Sequence, residues 1–297
     1  MKRLKSGLLL ALVCLLAACE KDVTSLNLPA LESQLAVNAF ISPQDTVVEV
    51  AVYESKPVFT DRPGSVTDLI RDATVTLSDG QKTVALTLPG NVPFASSRNY
   101  HVMARDFPIE AGKTYFLRVS TPDGRLVTAQ CTVPAAPPVP EMRFNLPVDT
   151  SAGGTPNYRE YTGTLHWQDP AGEENFYRVD ADINYVRVDN QGTVWDDWRQ
   201  IYWSDDKSTA VSDARLDGAQ FSSPETTFPV VRDYHDSVTL YAYLLHTDRA
   251  YFEYHRTLRA NVDSNPFAEP VLLYSNVEGG LGVFAAFNRT TLEVKLL

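Results

Sequence analysis

Apolar and polar residues alternate with a period of two over much of the chain, which is the pattern of β-strands with one buried face. In the N-terminal part the alternation covers LAVNAFI (35–41) and VVEVAVY (47–53), and two hairpin patterns follow with turns at Asp79-Gly80 and Pro122-Asp123-Gly124. Glycine suits such turns because it adopts positive φ without strain. We expect about seven short strands between residues 34 and 133, as in a β-sandwich of immunoglobulin-like or transthyretin-like type.

The C-terminal part combines further strand patterns with a helical one. Residues 237–246 (SVTLYAYLLH) predict a strong strand. Tyr251, Tyr254 and Leu258 then recur at helical spacing. We therefore expect a helix near 248–261, with Thr247 as its N-cap.

The closing segment is too apolar to be a free tail. Its arms, 271–275 and 281–287, predict two strands that complete the second sheet around a glycine-rich turn. This turn also matches a dinucleotide-binding pattern at Gly280, Gly282 and Ala285. Only twelve residues follow Ala285, so the helix, strand and ribose-binding acid of that motif have no room. We expect no cofactor.

A proline-rich segment divides the two patterns. Residues 134–140 read PAAPPVP, which cannot pair as a central strand because proline lacks a backbone N–H. We expect an all-β protein with two β-sandwich domains, the second carrying one α-helix. The N-terminal sandwich would span 34–134, a Pro-rich linker 135–148, and the C-terminal domain 149–297.

The first 18 residues have the parts of a secretory signal peptide. Lys2, Arg3 and Lys5 precede an apolar run from Gly7 to Ala18, which is shorter than the ~20 residues that cross a bilayer. The run ends in Leu-Ala-Ala before Cys19, which resembles the lipobox of bacterial lipoproteins. The resemblance implies cleavage before Cys19 and acylation of its thiol. The alternative is an ordinary signal peptide that happens to contain this cysteine.

Residues 19–33 are polar and without a period, and we expect them to form a tether. Their charged start, Glu20-Lys21-Asp22, resembles the surface-export signal of lipoproteins in some Gram-negative bacteria. The same charges suit a solvated tether equally well. The expected location is the outer membrane, with the lipid as anchor and the protein displayed at the cell surface.

The chain is acidic, which limits its partners. Its formal net charge is −11, and removal of the three basic residues of the predicted signal peptide changes it to −14. Such a surface repels nucleic acid phosphates and anionic lipid head groups. We therefore expect no nucleic acid partner, and the membrane contact has to come from acyl chains.

Few residues are spaced for catalysis or metal binding. None of the five histidines forms an HxxxH or HxH pair, and no GxSxG motif is present. We expect no catalytic residue and no metal site. Cys131 alternates in phase with Val127 and Val133, which predicts a buried structural thiol.

Acidic residues of the second half offer an alternative chemistry. Asp180 and Asp182 fall on one face of a predicted strand, and Asp169, Glu173 and Glu174 lie in the loop before it. Clustered carboxylates bind calcium or, in pairs, hydrolyse glycosides. No DxDxDG loop is present, and nothing in the sequence fixes the separation of a pair. We favour a solvated acidic face.

An aromatic cluster is the strongest candidate for ligand binding: Trp195, Trp198, Tyr202 and Trp203. On a strand, Trp198 and Tyr202 would share one face, and Trp195 and Trp203 the other. One face would then be free to stack on sugar or peptide. Cross-strand packing explains the same pattern without a ligand, and both interpretations stay open.

Five features occur in order along the chain: the lipobox, the hairpin DATVTLSDG, the segment AGKTYFLRV with a following Val-Pro, the block LHWQDPAGEENFYRV and the closing segment NPFAEPVLLYSNVEGGLGVFAAF. Together they resemble the uncharacterised bacterial lipoproteins of the domain-of-unknown-function 4249 family, over nearly the whole chain after Cys19. The resemblance implies a two-domain, β-rich outer-membrane lipoprotein, often encoded near a TonB-dependent transporter. It carries over no catalytic or binding residue.

Two functions follow as hypotheses. The first is a non-enzymatic, lipid-anchored protein of the outer membrane, an accessory or ligand-binding component beside a TonB-dependent transporter in nutrient uptake. The second is a surface enzyme that processes glycans or peptides with carboxylates of the second domain. Ligand binding without turnover would favour the first, and product formation the second.

The lipid anchor makes the first testable prediction. Replacing Cys19 by Ser removes the thiol that the lipobox resemblance assigns to acylation, so the variant should stay uncut and lose its acyl label. Metabolic labelling with palmitate and detergent phase partitioning measure both effects. Equal labelling of wild type and Cys19→Ser would contradict the anchor.

Overall fold

The computed structural model describes residues 33–55, 69–89, 99–145, 148–149, 158–205, 209–231, 234–262 and 271–297. The protein is all-β with one α-helix in these ranges. Its elements in chain order are β1 (Leu35–Ile41), β2 (Val47–Glu54), β3 (Thr74–Ser78), β4 (Thr83–Leu86), β5 (Tyr100–Met103), β6 (Thr114–Ser120), β7 (Leu126–Thr132), β8 (Glu141–Phe144), β9 (Val148–Asp149), β10 (Tyr158–Gln168), β11 (Phe176–Val188), β12 (Val194–Gln200), β13 (Ala210–Ser212), β14 (Gln220–Ser222), β15 (Thr226–Val231), β16 (Ser237–Thr247), α1 (Arg249–Val262) and β17 (Leu281–Lys295).

The described strands form three sheets. An eight-stranded sheet has the order β12-β11-β16-β17-β1-β2-β5, with β13 also paired to β11. A five-stranded sheet has the order β14-β10-β15, with β8 and β9 also paired to β10, and a four-stranded sheet has the order β4-β3-β6-β7. Among these described strands, β1 and β17 form the parallel pair and the other pairs are antiparallel.

Strand β17 joins the two halves of the chain. Its first residues, 281–286, pair with residues 36–41 of β1. Its later residues, 287–295, pair with residues 239–247 of β16. The eight-stranded sheet therefore continues across the predicted division between 34–134 and 149–297, and residues 33–297 form one compact unit. Whether the halves separate under proteolysis stays a prediction.

Two hydrophobic cores lie on one face of β17. Phe284 and Ala286 belong to the core that β1, β2 and β5 share with the four-stranded sheet. Leu292 and Val294 pack against the core that β11 and β16 share with the five-stranded sheet. Even spacing along a strand places all four side chains on the same face. The long sheet thus carries two smaller sheets, one on each half.

Helix α1 covers the opposite face of the long sheet, where Tyr251 and Tyr254 pack with Val283 and Ala285. Asp248 caps the helix in place of the predicted Thr247, which ends β16. Its Oδ1 accepts the N–H of Tyr251 at 2.7 Å, and its Oδ2 accepts the N–H of Ala286 at 3.0 Å. One carboxylate therefore ties the helix start to β17.

No helix in the described ranges combines the length and apolar character that crossing a bilayer requires.

The Pro-rich segment is anchored to the sheet. The carbonyl of Pro134 accepts the Nδ2–H of Asn288 at 3.1 Å, and that of Pro137 accepts the hydroxyl of Thr290 at 3.0 Å. The carbonyl of Ala135 lies 3.0 Å from His246 Nδ1. These bonds hold the first part of the segment along β16 and β17.

The closing segment differs from the prediction in its first arm. Residues 281–287 begin β17, whereas residues 271–275 form no strand and Leu272 is 89% exposed. Asn276 replaces the missing strand pairing, because its side chain accepts the N–H of Phe284 at 3.0 Å and donates to the carbonyl of the same residue at 2.7 Å. The segment therefore lies along β17 without becoming a strand.

Close backbone approach explains the glycines at the start of β17. Gly279 and Gly282 have positive φ, whereas Gly280 does not. A Cβ at Gly280 would lie 2.2 Å from the Leu35 carbonyl oxygen, and one at Gly282 would lie 1.9 Å from the Val37 oxygen. Proximity to β1 is thus the reason for glycine at position 280.

Gly280→Ala should therefore lower the free energy of unfolding by roughly 3 kcal/mol, because the added methyl overpacks against the β1 backbone. The matched control is Gly192→Ala, since Gly192 has a φ of +81° but nothing within 4 Å of its Cβ position. This control should lose only about 1 kcal/mol from backbone strain. Chemical denaturation measures both, and an unchanged stability of Gly280→Ala would show that the approach to β1 contributes nothing.

The Asp248 cap predicts a pH dependence of stability. Burial raises the pKa of this carboxyl from 3.8 to about 7, against the lowering effect of its backbone hydrogen bonds. The folded protein then keeps a proton that the unfolded chain releases, so this group's stabilising contribution is complete below about pH 4 and is lost as pH rises through about 7.

Asp248→Asn imitates the protonated carboxyl and should remove this loss. As the pH rises from 4 to 8, this group should cost wild type roughly 2–4 kcal/mol of unfolding free energy. The variant should not show this loss, so the stability difference between the two proteins should shift by that amount in favour of the variant. Burial also raises the pKa of Asp45, to about 6, so Asp45→Asn is the control for a second acid. A constant difference between Asp248→Asn and wild type at all pH values would contradict the prediction.

Candidate functional site

The structure separates the four aromatic residues that the sequence groups together. Trp195 and Trp198 lie on β12 and are 61% and 52% exposed. Tyr202 follows the end of this strand and is 80% exposed. Trp203 is only 8% exposed and belongs to the second core. Trp203 is therefore a core residue, which corrects its place among the expected ligand-binding residues.

The difference between Trp195 and Trp203 arises from where the covering sheet ends. Both residues have the same parity along the chain and point to the same side. At Trp203 the backbone forms a bridge with Thr226 of β15, so the five-stranded sheet covers this ring. All seven residues of β12 are exposed. The five-stranded sheet therefore does not extend over β12, and the core-side face of the eight-stranded sheet is open at this strand. Trp195 lies on that open face.

This opening forms a cleft of about 610 Å³, which we name the Trp195 cleft. Its lining residues are Tyr185, Arg187, Trp195, Asp197, Arg199, Tyr234 and His235. The ladder of β11 and β12 supplies one wall, with Arg187 opposite Trp195 and Tyr185 opposite Asp197. The connection between β15 and β16 supplies the other wall.

Rings and guanidinium groups fix the shape of the Trp195 cleft. The guanidinium carbon of Arg187 lies 4.5 Å from the centre of the Tyr234 ring, and that of Arg199 lies 5.2 Å from the Tyr185 ring. The Tyr185 hydroxyl donates to the carbonyl of Pro229 at 2.8 Å. Cation–π contacts of this kind orient an arginine side chain along a ring face.

The two arginines of the cleft differ in their ionic partners. Arg199 forms an ion pair with Asp197, whose Oδ2 lies 2.7 Å from its Nη2. Arg187 is half-buried, and in the part of the chain that the structure describes no carboxylate forms an ion pair with it. The formal charges of Arg187, Arg199 and Asp197 leave one positive charge on the cleft wall of a protein with net charge −11.

Sequence reasoning missed Arg187, Tyr234 and His235. A signal for Arg187 existed, because the turn DNQG at 189–192 places residue 187 opposite residue 195 in a hairpin. Asp189 holds this turn by accepting the N–H groups of Gln191 and Thr193. Tyr234 and His235 lie about 40 residues away, and no local pattern links them to Trp195.

The other face of β12 shows ordinary cross-strand packing. The Trp198 ring lies 5.0 Å from the Tyr241 ring of β16. Beside it, the side chain of Asn184 donates to the carboxylate of Asp196. These contacts account for Trp198 without a ligand.

A carboxylate cluster lies at the opposite end of β11. Oxygens of Asp169, Asp213 and Asp217 lie within 4.8 Å of one another, and among the described residues this group has the donors to hold a metal ion. Glu173 and Glu174 line the adjacent shallow cavity. The structure thus brings the predicted loop acids close to two aspartates that the sequence analysis did not include.

Hydrogen bonds within the protein already use the oxygens of the buried aspartates. Asp169 accepts the Tyr177 hydroxyl at 2.7 Å and the Gly218 N–H at 2.8 Å. Asp213 accepts the backbone N–H of Asn175 at 2.9 Å and its side-chain N–H at 3.3 Å. The cluster therefore connects two loops of the fold, and its geometry is explained by this structural role.

The structure keeps Asp180 and Asp182 apart from this cluster. Alternate residues of a strand point to opposite faces of the sheet. Tyr177 and Val179 belong to the second core, so Asp180 and Asp182 lie on the face of β11 that points away from this core. Burial raises the pKa of Asp182. The negative charge of Asp180 adds a smaller contribution to this rise.

A second cavity of about 690 Å³ lies between β6, β7 and the start of α1. Asp248 and Cys131 are among its lining residues. Both oxygens of Asp248 accept backbone N–H groups. Burial, together with the charge of Asp248, raises the pKa of the Cys131 thiol well above its ordinary value. Cys131 is thus a buried thiol, as predicted, and its raised pKa disfavours the reactive thiolate form.

Comparisons with known proteins place the chain in a family. No curated protein matches it. One family model, described as a domain of unknown function (DUF4249), matches residues 21–293. This range contains the hairpins, the Asp169 loop and the closing segment that carry the resemblance. The chain belongs to the DUF4249 family.

Proposed function

We propose that this protein is a non-enzymatic component of the outer membrane that binds a small ligand in the Trp195 cleft. It would be anchored by lipid at Cys19 and displayed at the cell surface, where it assists a TonB-dependent transporter in nutrient uptake. The observation that carries the proposal is the exposed indole of Trp195 opposite the half-buried guanidinium of Arg187, with which no carboxylate of the described residues forms an ion pair.

The cleft has the size and lining of a ligand site. Small-molecule sites measure roughly 300–1,000 Å³ and combine aromatic walls with a few polar groups. The Trp195 cleft, at about 610 Å³, has the rings of Trp195, Tyr185 and Tyr234 and the charges of Arg187 and Asp197. Tyr234 is 57% exposed. Two large exposed rings facing one cavity present an apolar surface that a ligand would cover.

The chemistry of the described residues favours binding over catalysis. A hydrolase of the carboxylate type needs two carboxyl groups on one accessible substrate site. In the Trp195 cleft the lining contains one, Asp197, and it is paired with Arg199. The aspartates of the second-half cluster accept internal hydrogen bonds. The alternative function, a glycan- or peptide-processing enzyme, therefore has less support.

We also propose that each core corresponds to a sandwich module of immunoglobulin-like or transthyretin-like type. The support is the pairing of each half of the long sheet with its own smaller sheet. In this arrangement β17 is a strand of both modules.

The anchor and the partner rest on sequence. Cys19 and the tether 19–33 lie outside the described residues apart from Ser33. The lipobox pattern supports the anchor, and the family resemblance supports the transporter.

Ligand binding can be tested with full-length protein in detergent and a panel of oligosaccharides and peptides. Ligands should raise the melting temperature of wild type and of Trp198→Ala, and this rise should be lost in Trp195→Ala. The control is well matched, because Trp198 has similar exposure on the same strand but faces the other side. Mass spectrometry should find the ligands unchanged.

Three results would contradict the proposal. One is product formation from a panel compound, which favours the enzyme. Another is a melting shift that survives in Trp195→Ala, which moves the site elsewhere. The third is the recovery of no TonB-dependent transporter when tagged wild type is purified from native membranes after cross-linking.

A further inference from the structure

We propose that the ligand of the Trp195 cleft is an acidic sugar, with a pyranose ring and a carboxylate, as in an oligouronate. The inference rests on the proposed function of this cleft and names the chemical class that it selects. Arg187 would bind the carboxylate, and the rings of Trp195 and Tyr234 would pack on the sugar.

The first step concerns the contacts and ionic partners of the Arg187 guanidinium group. Its guanidinium carbon lies 4.5 Å from the centre of the Tyr234 ring, and such a contact helps to orient the group. The neighbouring acid Asp189 directs its Oδ1 to the backbone of Gln191 and Thr193. These backbone hydrogen bonds lower the pKa of Asp189, and the positive charge of Arg187 contributes less to the same effect. A half-buried cation that forms no ion pair with the described carboxylates favours an anion that arrives with the ligand, and a planar guanidinium fits a carboxylate through two parallel hydrogen bonds.

The second step is the neighbouring ion pair. Asp197 already neutralises Arg199, so Arg187 remains as the group for a ligand charge. The remaining lone pairs of Asp197 can accept hydrogen bonds from hydroxyl groups. The wall therefore combines one site for a carboxylate with acceptors for hydroxyls, which an acidic sugar offers together.

The third step is the shape of the apolar surface. Trp195 and Tyr234 both line this cavity and are 61% and 57% exposed. Aromatic side chains of this kind contribute large contact area at low entropy cost and also tolerate polar neighbours. A pyranose has an apolar C–H face and a polar rim, so its apolar face can pack on such rings while its rim meets the polar groups of the lining.

An acidic peptide fits the same charge less well. An extended peptide that pairs with β12 would direct alternate side chains to opposite faces. The arginines, however, line the face of Trp195 only, while Trp198 lies on the other face against Tyr241.

The test uses calorimetric titration of the full-length protein in detergent with three probes. These are an oligogalacturonate, the methyl ester of the same oligosaccharide, and a glutamate-rich peptide. Wild type should bind the oligogalacturonate, and esterification should weaken binding about tenfold to a hundredfold, because it removes the charge that Arg187 recognises. Arg187→Gln should weaken binding of the acid to the same degree and leave the ester unaffected.

Two further variants complete the design. Arg187→Lys keeps the charge but loses the planar fork, so its affinity should fall between those of wild type and Arg187→Gln. Trp198→Ala should bind like wild type. Thermal melting of each variant shows that it is folded.

The outcomes separate this inference from the function on which it rests. Equal affinity for acid and ester, unchanged by Arg187→Gln but lost in Trp195→Ala, overturns the acidic sugar and keeps the cleft as a binding site. Tighter binding of the peptide overturns the sugar class. Absence of binding by both saccharides also overturns the inference, and the wider panel of compounds then decides the proposed function.

Discussion

The parallel pairing of β1 with β17 is the contact on which the rest of the structure depends. It joins residues 36–41 to residues 281–286, near opposite ends of the chain. Closing so long a loop is slow and costs conformational entropy. The glycines at 280 and 282 permit the approach, because a Cβ at either position would collide with a β1 carbonyl. Once β17 is placed, both cores gain the strand that they share.

The Trp195 cleft depends on the same strand through a series of neighbours. β17 pairs with β16, β16 with β11, and β11 with β12. This order carries Arg187 and Trp195 to the edge of the long sheet, where the five-stranded sheet no longer covers the core face. The cleft is the part of an amphipathic sheet left without a cover, which explains why it has aromatic walls and charges together.

Local patterns in the sequence predict many of the strands and the helix, but they do not predict which distant elements pack together. Alternation identifies the strands and the buried face of Cys131, and helical spacing identifies α1 within one residue of its observed bounds. Alternation assigns a residue to a face, yet it does not tell how far a second sheet extends over that face. Trp195 and Trp203 therefore look equivalent in sequence, and only the end of the cover separates them. The contact of Tyr234 with Arg187 and the pairing of β1 with β17 are non-local, so no window of residues reveals them.

The most direct measurement of the central claim is native-state hydrogen exchange of the full-length protein in increasing denaturant, read by mass spectrometry. If β17 unites both cores, the amides of β1, β11, β16 and β17 should exchange through a single global opening with one free energy. Exchange of β1 and the first half of β17 at a clearly lower free energy than β11 and β16 would contradict the account, because the two cores would then unfold independently.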